Sequence, residues 1–265
     1  MQRVLTAIGL LAVAFYLIFL SSERAFMVAA VITGWLCYRE YSGLVVAHRI
    51  PPPGWLGALC GVYVVVGPQF IPATAGFLPG LALATVLIFI AALRFSTLTD
   101  IFPYVAAALL GALYTFAPWR AAIELRNESV HLLFFALALN WAGDSAAYYV
   151  GRKLGRHPLA PIVSPKKSWE GAVASILGSI VLGLLYLGHF MPRLPWWQVM
   201  IFAAAGNIAG QFGDLAESAM KRGAGVKDSG NLLPGHGGAL DRLDSSLFSL
   251  PVVAILYGLF AKSAS

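Results

Sequence analysis

Charge is scarce in this chain. Only 11% of its 265 residues are Asp, Glu, Lys or Arg, where a soluble domain carries about a quarter. The mean hydropathy of +0.77 points the same way. An ordinary cytosolic enzyme, a disordered chain and a collagen-like fibre are excluded. The net charge of +6 does not signal nucleic-acid binding, because 18 basic residues spread over a chain that is 59% hydrophobic form no dense basic patch. Cysteine is nearly absent. Cys37 and Cys60 both sit in apolar runs, so they define neither a disulfide framework nor a CxxC metal site. Buried small apolar side chains are expected at both. Internal repeats and low-complexity segments are also missing. One membrane domain over 1–265 is expected, with spans 1–5 in 1–130 and catalytic spans 6–9 with their connections in 131–265.

Long apolar runs are what the chain has in abundance. A helix needs about 20 apolar residues to cross the hydrocarbon core. Candidate runs are Val4–Leu20, Ala25–Tyr38, Ile101–Trp119, Val130–Val150, Gly171–Pro192, Leu194–Gly213 and Ser245–Ala261. Ile50–Leu93 is too long for one span, and Pro68, Pro72 and Pro79 with neighbouring glycines divide it into two. The runs lack the period-2 alternation of barrel strands. The expected class is therefore all-α, a polytopic integral membrane protein with about nine transmembrane helices. Val4–Leu20 is longer than a signal-peptide core, and Ser-Ser-Glu-Arg after it is no cleavage site, so it reads as an uncleaved first span.

Nine spans put the termini on opposite sides. Thirteen of the 18 basic residues then fall on the face holding the N-terminus and the connections near 39–53, 94–100, 151–170 and 214–244. That bias sets the N-terminus in the cytoplasm and the C-terminus outside. Both charge-rich connections face the cytoplasm.

The few charges inside the runs fall in patterns. Asn140, Asp144 and Tyr148 recur every four residues on one helical face, with the small residues Gly143, Ala147 and Gly151 beside them. A carboxylate in a membrane helix costs several kcal/mol unless it faces a polar cavity or a partner. Asn207, Gly210, Asp214, Glu217 and Lys221 form a second such stripe. Carboxylates with amide oxygens suit a hard cation such as Mg²⁺, and Lys221 suits a phosphate. Ser164-Pro-Lys-Lys-Ser-Trp-Glu-Gly171 offers Ser168 as a helix N-cap with Glu170 in the first turn. Lys166 and Lys167 then stand just before a helix N-terminus, where backbone amides also favour anions. Contact with anionic headgroups is the alternative for these lysines. His157 beside Pro158 reads as a loop residue.

The last connection is the most informative. Lys221, Arg222, Lys227, Asp228, Asp241 and Asp244 interleave both signs of charge, and six glycines lie between 222 and 239. Glycines let backbone amides approach an anion closely. Asp241 and Asp244 are three apart at the start of the ninth helix and can share a cation.

Residues 218–244 closely resemble the signature of the CDP-diacylglycerol synthase (phosphatidate cytidylyltransferase) family. Ser218, Met220, Lys221, Arg222, Lys227, Asp228, Gly230, Leu233, Pro234, His236, Gly237, Gly238, Asp241, Arg242, Leu243 and Asp244 match it; Ala239 departs, where a larger aliphatic is usual. The Asp144 region and the Ser164–Gly171 run are also similar to this family. The resemblance implies transfer of CMP from CTP to phosphatidic acid, giving CDP-diacylglycerol and pyrophosphate in phospholipid biosynthesis. It further implies Mg²⁺ dependence, a homodimer and a place in the bacterial cytoplasmic (inner) membrane among membrane lipids.

On that reading Asp214 and Asp241 are the foremost expected metal ligands, with Asp144, Asp244 and Asp228 beside them. Asp144 alternatively holds a second cation. Lys166, Lys167, Lys221, Arg222, Lys227 and Arg242 bind CTP or lipid phosphate. Gly237 and Gly238 cradle a phosphate with His236, which can protonate the leaving pyrophosphate or simply stabilise a turn. The rival readings are a cation-coupled transporter with Asp144 and Asp214 at a midplane site, a CDP-alcohol phosphotransferase and a CTP-dependent lipid kinase. No paired repeat supports the transporter, and the phosphotransferase motif is absent.

Overall fold

A segment surrounded by lipid must satisfy its own backbone amides, and a helix does so locally. The computed structural model describes residues 9, 11–71, 77–232 and 237–263. Within them run α1 (Leu11–Leu20), α2 (Glu23–Ala47), α3 (Gly54–Phe70), α4 (Leu78–Ala92), α5 (Ile101–Glu128), α6 (Val130–Leu154), α7 (Trp169–Phe190), α8 (Trp196–Gly223) and α9 (Leu240–Ser263). Within the described residues every expected apolar run has its helix; residues 4–8 and Leu10 of the first run, and Pro72, lie outside them. The departure from all-α is a small antiparallel hairpin, β1 (Pro158–Ala160) and β2 (Ser164–Ser168).

Among the described residues five helices are long and apolar enough to cross a membrane: Leu98–Glu128, Val130–Leu154, Trp169–Phe190, Trp196–Gly223 and Leu240–Phe260. The expected count of nine is larger. α3 and α4 have 17 and 15 residues, roughly 25 and 22 Å at about 1.5 Å per residue, against a core of about 30 Å. α2 has 25 residues but carries Glu23 and Arg24 in its first turn and Arg39 and Glu40 about two turns before its end. The chain is an all-α integral membrane protein.

Several boundaries differ from the apolar runs. Pro68 lies inside α3 instead of ending it, while Pro79 sits in the first turn of α4, where its missing N–H costs nothing. α5 continues past Trp119 to Glu128, and Ser129 alone separates it from α6, capping α6 through a bond from His131 N. α8 extends through Asp214 to Gly223, because hydropathy falls there without any helix breaker.

α7 shows how such a helix packs. Gly171, Ser175, Ser179, Gly183 and Leu187 are buried at strict four-residue spacing. Val173, Leu177, Val181 and Leu185 are exposed on the other side. Small residues inside and large apolar ones outside is the pattern of a helix facing lipid, where close approach replaces hydrophobic burial as the packing force.

The chain divides into two compact units, residues 1–123 with 220–242, and residues 124–219 with 243–265. In the first, Cys60, Ile88, Ala92, Tyr104, Val105, Ala108 and Ala112 form a buried cluster. Cys37 and Cys60 are both free and buried, as expected. Tyr38 and Tyr41 donate to the carbonyls of Gly54 and Ala107 at 2.9 and 3.1 Å. In the second unit, Phe135, Leu139, Phe202 and Val253 are fully buried.

Phe116 on α5 is fully buried between Gly34 of α2 and Gly61 of α3, and a Cβ at either glycine would collide with its ring. Gly61→Ala is expected to destabilise the protein by about 1–3 kcal/mol through overpacking. Gly188→Ala, where the added atom meets nothing within 4 Å, is expected to be neutral or stabilising. Thermal midpoints in detergent check both, and equal midpoints would refute this account of Phe116.

Candidate active site

The second unit holds a cavity of about 380 Å³ with polar side chains from α6, α8 and the hairpin in its walls. α6 contributes Asn140, Asp144, Tyr148 and Arg152, α8 contributes Asn207, Gln211 and Asp214, and the hairpin contributes Lys166 and Lys167. The expected α6 stripe therefore faces one cavity. Gly143 beside it gives the room: a side chain there would run into Asn207 and the Ser175 hydroxyl.

Below the carboxylates lies a buried amide and hydroxyl network. Asn207 Nδ2 donates to Ser175 Oγ at 3.0 Å and to Ser179 Oγ at 2.8 Å, and its Oδ1 accepts from Gln211 Nε2 at 2.7 Å. Ser179 donates onward to the Leu139 carbonyl at 2.7 Å, and Asn140 donates to Ser249 at 2.9 Å. Each such bond contributes about 1 kcal/mol net, but an unpaired member would cost more. The network fixes the cavity wall where water is scarce.

The lysines are held by the hairpin and by the start of α7. Ser168 accepts from Gly171 N at 3.2 Å as the expected N-cap. Glu170 accepts from Arg156 N and His157 N at 3.1 and 3.3 Å, and its other oxygen meets His157 Nδ1 at 2.6 Å. His157 is thus an anchor and not a bystander. These bonds tie β1 to the first turn of α7 and place Lys166 and Lys167 on β2 at the cavity. Lys167 pairs with Asp214, whose other oxygen accepts from Ser218 at 3.3 Å. Asp144 lies within electrostatic reach of both Asp214 and Lys167. Arg152 donates to the Tyr148 hydroxyl at 3.0 Å.

The first unit holds a second polar cluster, built where α8 ends and α9 begins. α8 closes with Gly225 at φ +70°, Gly225 N donating to Arg222 O at 3.1 Å and Val226 N to Lys221 O at 2.9 Å. This six-residue closure needs the left-handed conformation that glycine supplies. It turns Lys221 inward, where its ammonium lies 2.6 Å from Asp241. Asp241 Oδ2 also accepts from Ser229 N at 3.0 Å and Gly238 N at 2.8 Å. Gly237 has φ +82° and so points its amide where few other residues could. Arg222, Lys227, Asp228 and Arg242 are exposed, and Arg222 donates to the Val226 carbonyl at 3.0 Å. Asp244, in the second unit, accepts from Ser245 N at 2.7 Å. His236 lies outside the described residues.

The chemistry available is clear from these groups. Lysines and an arginine around a cavity attract phosphate, paired carboxylates attract a hard cation, and a glycine-rich turn offers amides to an anion. No group of three or more His, Cys, Asp or Glu side chains that could hold a metal occurs among the described residues. The cavity presents two carboxylates, Asp144 and Asp214.

Comparison with known proteins agrees with this chemistry. Residues 1–260 match the model of the cytidylyltransferase family. A phosphatidate cytidylyltransferase of Staphylococcus saprophyticus is 33% identical over 260 residues, covering 96% of this chain and 97% of the relative. One from Bacillus subtilis is 32% identical over 265 residues, covering 98% of each. The chain belongs to the cytidylyltransferase family.

Sequence reasoning missed several groups that this cytidylyltransferase uses to hold its polar clusters. Ser175, Ser179 and Ser249 read as neutral fillers inside apolar runs, although four-residue spacing marks the first two. Glu40 gave no local signal at all; its partners lie near residues 229–240.

The Lys221 and Asp241 side chains are only 11% and 5% exposed. Removing one charge of such a pair strands the other. Lys221→Met is expected to destabilise the cytidylyltransferase by about 3–5 kcal/mol. Lys221→Met with Asp241→Leu should lose less than the sum of the two single variants. Additive midpoint losses in the double variant would rule out the pair as drawn.

Proposed function

We propose that this chain transfers CMP from CTP to phosphatidate, giving CDP-diacylglycerol and pyrophosphate. The observation that carries the reading is the cavity of Asp144, Asp214, Lys166 and Lys167 in a chain that aligns with phosphatidate cytidylyltransferases over 96–98% of its length. A phosphate oxygen of phosphatidate attacks the α-phosphorus of CTP. The new P–O bond forms as the bond from the α-phosphorus to the bridging oxygen breaks, and that oxygen leaves with pyrophosphate. The attacking phosphate is already largely ionised near neutral pH, so the protein's task is positioning and charge neutralisation.

Lys166, Lys167 and Arg152 are suited to bind phosphate at the cavity. Arg222, Lys227 and Arg242 are suited to bind phosphate at the exposed edge of the second cluster, beside Lys221 and the Gly237–Gly238 turn. Lys167 pairs with Asp214, and this pairing supports reading the carboxylate as one that takes a cationic partner. Mg²⁺ favours one or two carboxylates plus waters and substrate phosphates, and Asp144 with Asp214 fits that habit. Mg²⁺ bound there would neutralise charge on the transferring phosphates. Asp241 has its oxygens turned to Lys221 and two backbone amides, so we assign it to ordering the turn. Asp244 and Asp228 remain subsidiary oxygen donors.

We further propose nine spans, a cytoplasmic N-terminus, an outer C-terminus and a site facing the cytoplasm of a bacterial inner membrane. One helix per apolar run and the bias of basic residues support this. The family resemblance supports a homodimer.

Reconstituted protein is expected to move label from α-³²P CTP into lipid. Label entering lipid from γ-³²P CTP would overturn the reading in favour of a kinase. Chelation should abolish turnover and Mg²⁺ restore it. Asp144→Asn and Asp214→Asn should each lower kcat/KM by about 10²-fold and raise the Mg²⁺ concentration needed for half-maximal rate. An unchanged Mg²⁺ requirement in both variants would reject the assignment.

A further inference from the structure

A helix leaves its first amides without internal acceptors. α9 begins at Leu240, and the residue before it is Ala239, whose side chain cannot cap. The acceptor comes from about 200 positions upstream. Glu40, about two turns before the end of α2, accepts from Ala239 N through Oε1 at 2.9 Å and from Leu240 N through Oε2 at 2.8 Å. A carboxylate at a helix N-terminus is also favoured by the helix dipole. Oε2 accepts a third bond, from the Ser229 hydroxyl at 2.9 Å.

Those three partners flank the groups that hold Asp241. Ser229 N and Gly238 N donate to Asp241, while Ser229 Oγ, Ala239 N and Leu240 N donate to Glu40. Two acids from distant parts of the sequence thus share one short stretch of backbone. The glycines of the motif acquire a reason here. A Cβ at Gly230 would stand 2.7 Å from Glu40 Oε1, and one at Gly238 would overlap Glu40 Oε2 and the Ser229 hydroxyl. Residues 225–228 beside this stretch, Lys227 among them, are exposed.

We propose that Glu40 is a positioning residue for cytidylyl transfer, fixing residues 229–230 and 238–240, and with them the Lys221–Asp241 pair, so that the exposed Lys227 and Arg242 are held in place for the phosphates of CTP. The proposal rests on reading this turn as the nucleotide-phosphate site. Groups that orient binding residues typically change affinity or activity by about 10–100-fold when removed.

The test is steady-state kinetics of the full-length protein in phosphatidate-containing micelles. Glu40→Gln keeps the shape but replaces one acceptor oxygen by a donor facing N–H or O–H groups. It should raise KM for CTP about tenfold or more while KM for phosphatidate stays within about twofold. Ser229→Ala, which removes one partner from Glu40, should shift KM for CTP in the same direction by less. Unchanged KM for CTP in both variants, or equal rises for both substrates, would overturn the proposal. If Glu40→Gln does not fold, Ser229→Ala decides alone by the same criterion. Asp241→Asn separates the underlying reading: wild-type kinetics there would remove the turn from the reaction, whereas an inactive Asp241→Asn beside a normal Glu40→Gln would remove only Glu40.

Discussion

Among apolar helices a polar side chain must find its partner inside the protein, because no water is at hand to replace it. Much of this structure follows from that constraint. Asn207 makes bonds to Ser175, Ser179 and Gln211, and each of those groups would be a liability without the others. The close helix approach these bonds need explains the small residues around them. Gly143 leaves space for Asn207 and Ser175, and Gly178 sits where a Cβ would press on Ala146. The cavity is then a place where this rule is relaxed on purpose, with Asp144, Asp214 and Lys167 gathered at its wall.

The parts legible in the sequence were those with a local period or a local cap. Asn140, Asp144 and Tyr148 announce a face because a helix repeats every 3.6 residues, and all three do line one cavity. Ser168 was readable as an N-cap from the residues that follow it. The apolar runs located the helices, though their ends drifted wherever polar residues continued a helix, as at Glu128 and Gly223. The hairpin at 158–168 carried no alternation that would betray it. It is held instead by Glu170 reaching back to Arg156 and His157.

What was not legible depends on separation along the chain. Lys167 and Asp214 are 47 positions apart, and Glu40 lies 189–200 positions from its partners. Nothing in a single sequence says which of twelve acids will meet which amide. Composition says only that each will need a partner. Asp241 shows the consequence. Its spacing from Asp244 suggested a shared cation, but its oxygens face an ammonium and backbone amides.

The same side chain therefore serves two purposes in two settings. Asp214 pairs with a lysine on a hairpin at the edge of a cavity, with its side chain 31% exposed. Asp241 is 5% exposed and takes two of its partners from the backbone. Exchanging those would cost the desolvation of each amide, so this carboxylate holds structure. A chain so poor in charge places its acids by this distinction. The half-buried, side-chain-paired carboxylate sits at the edge of a cavity where a second charged group has room to reach it, and the buried, amide-bound one ties Ser229 and Gly238 to the start of α9.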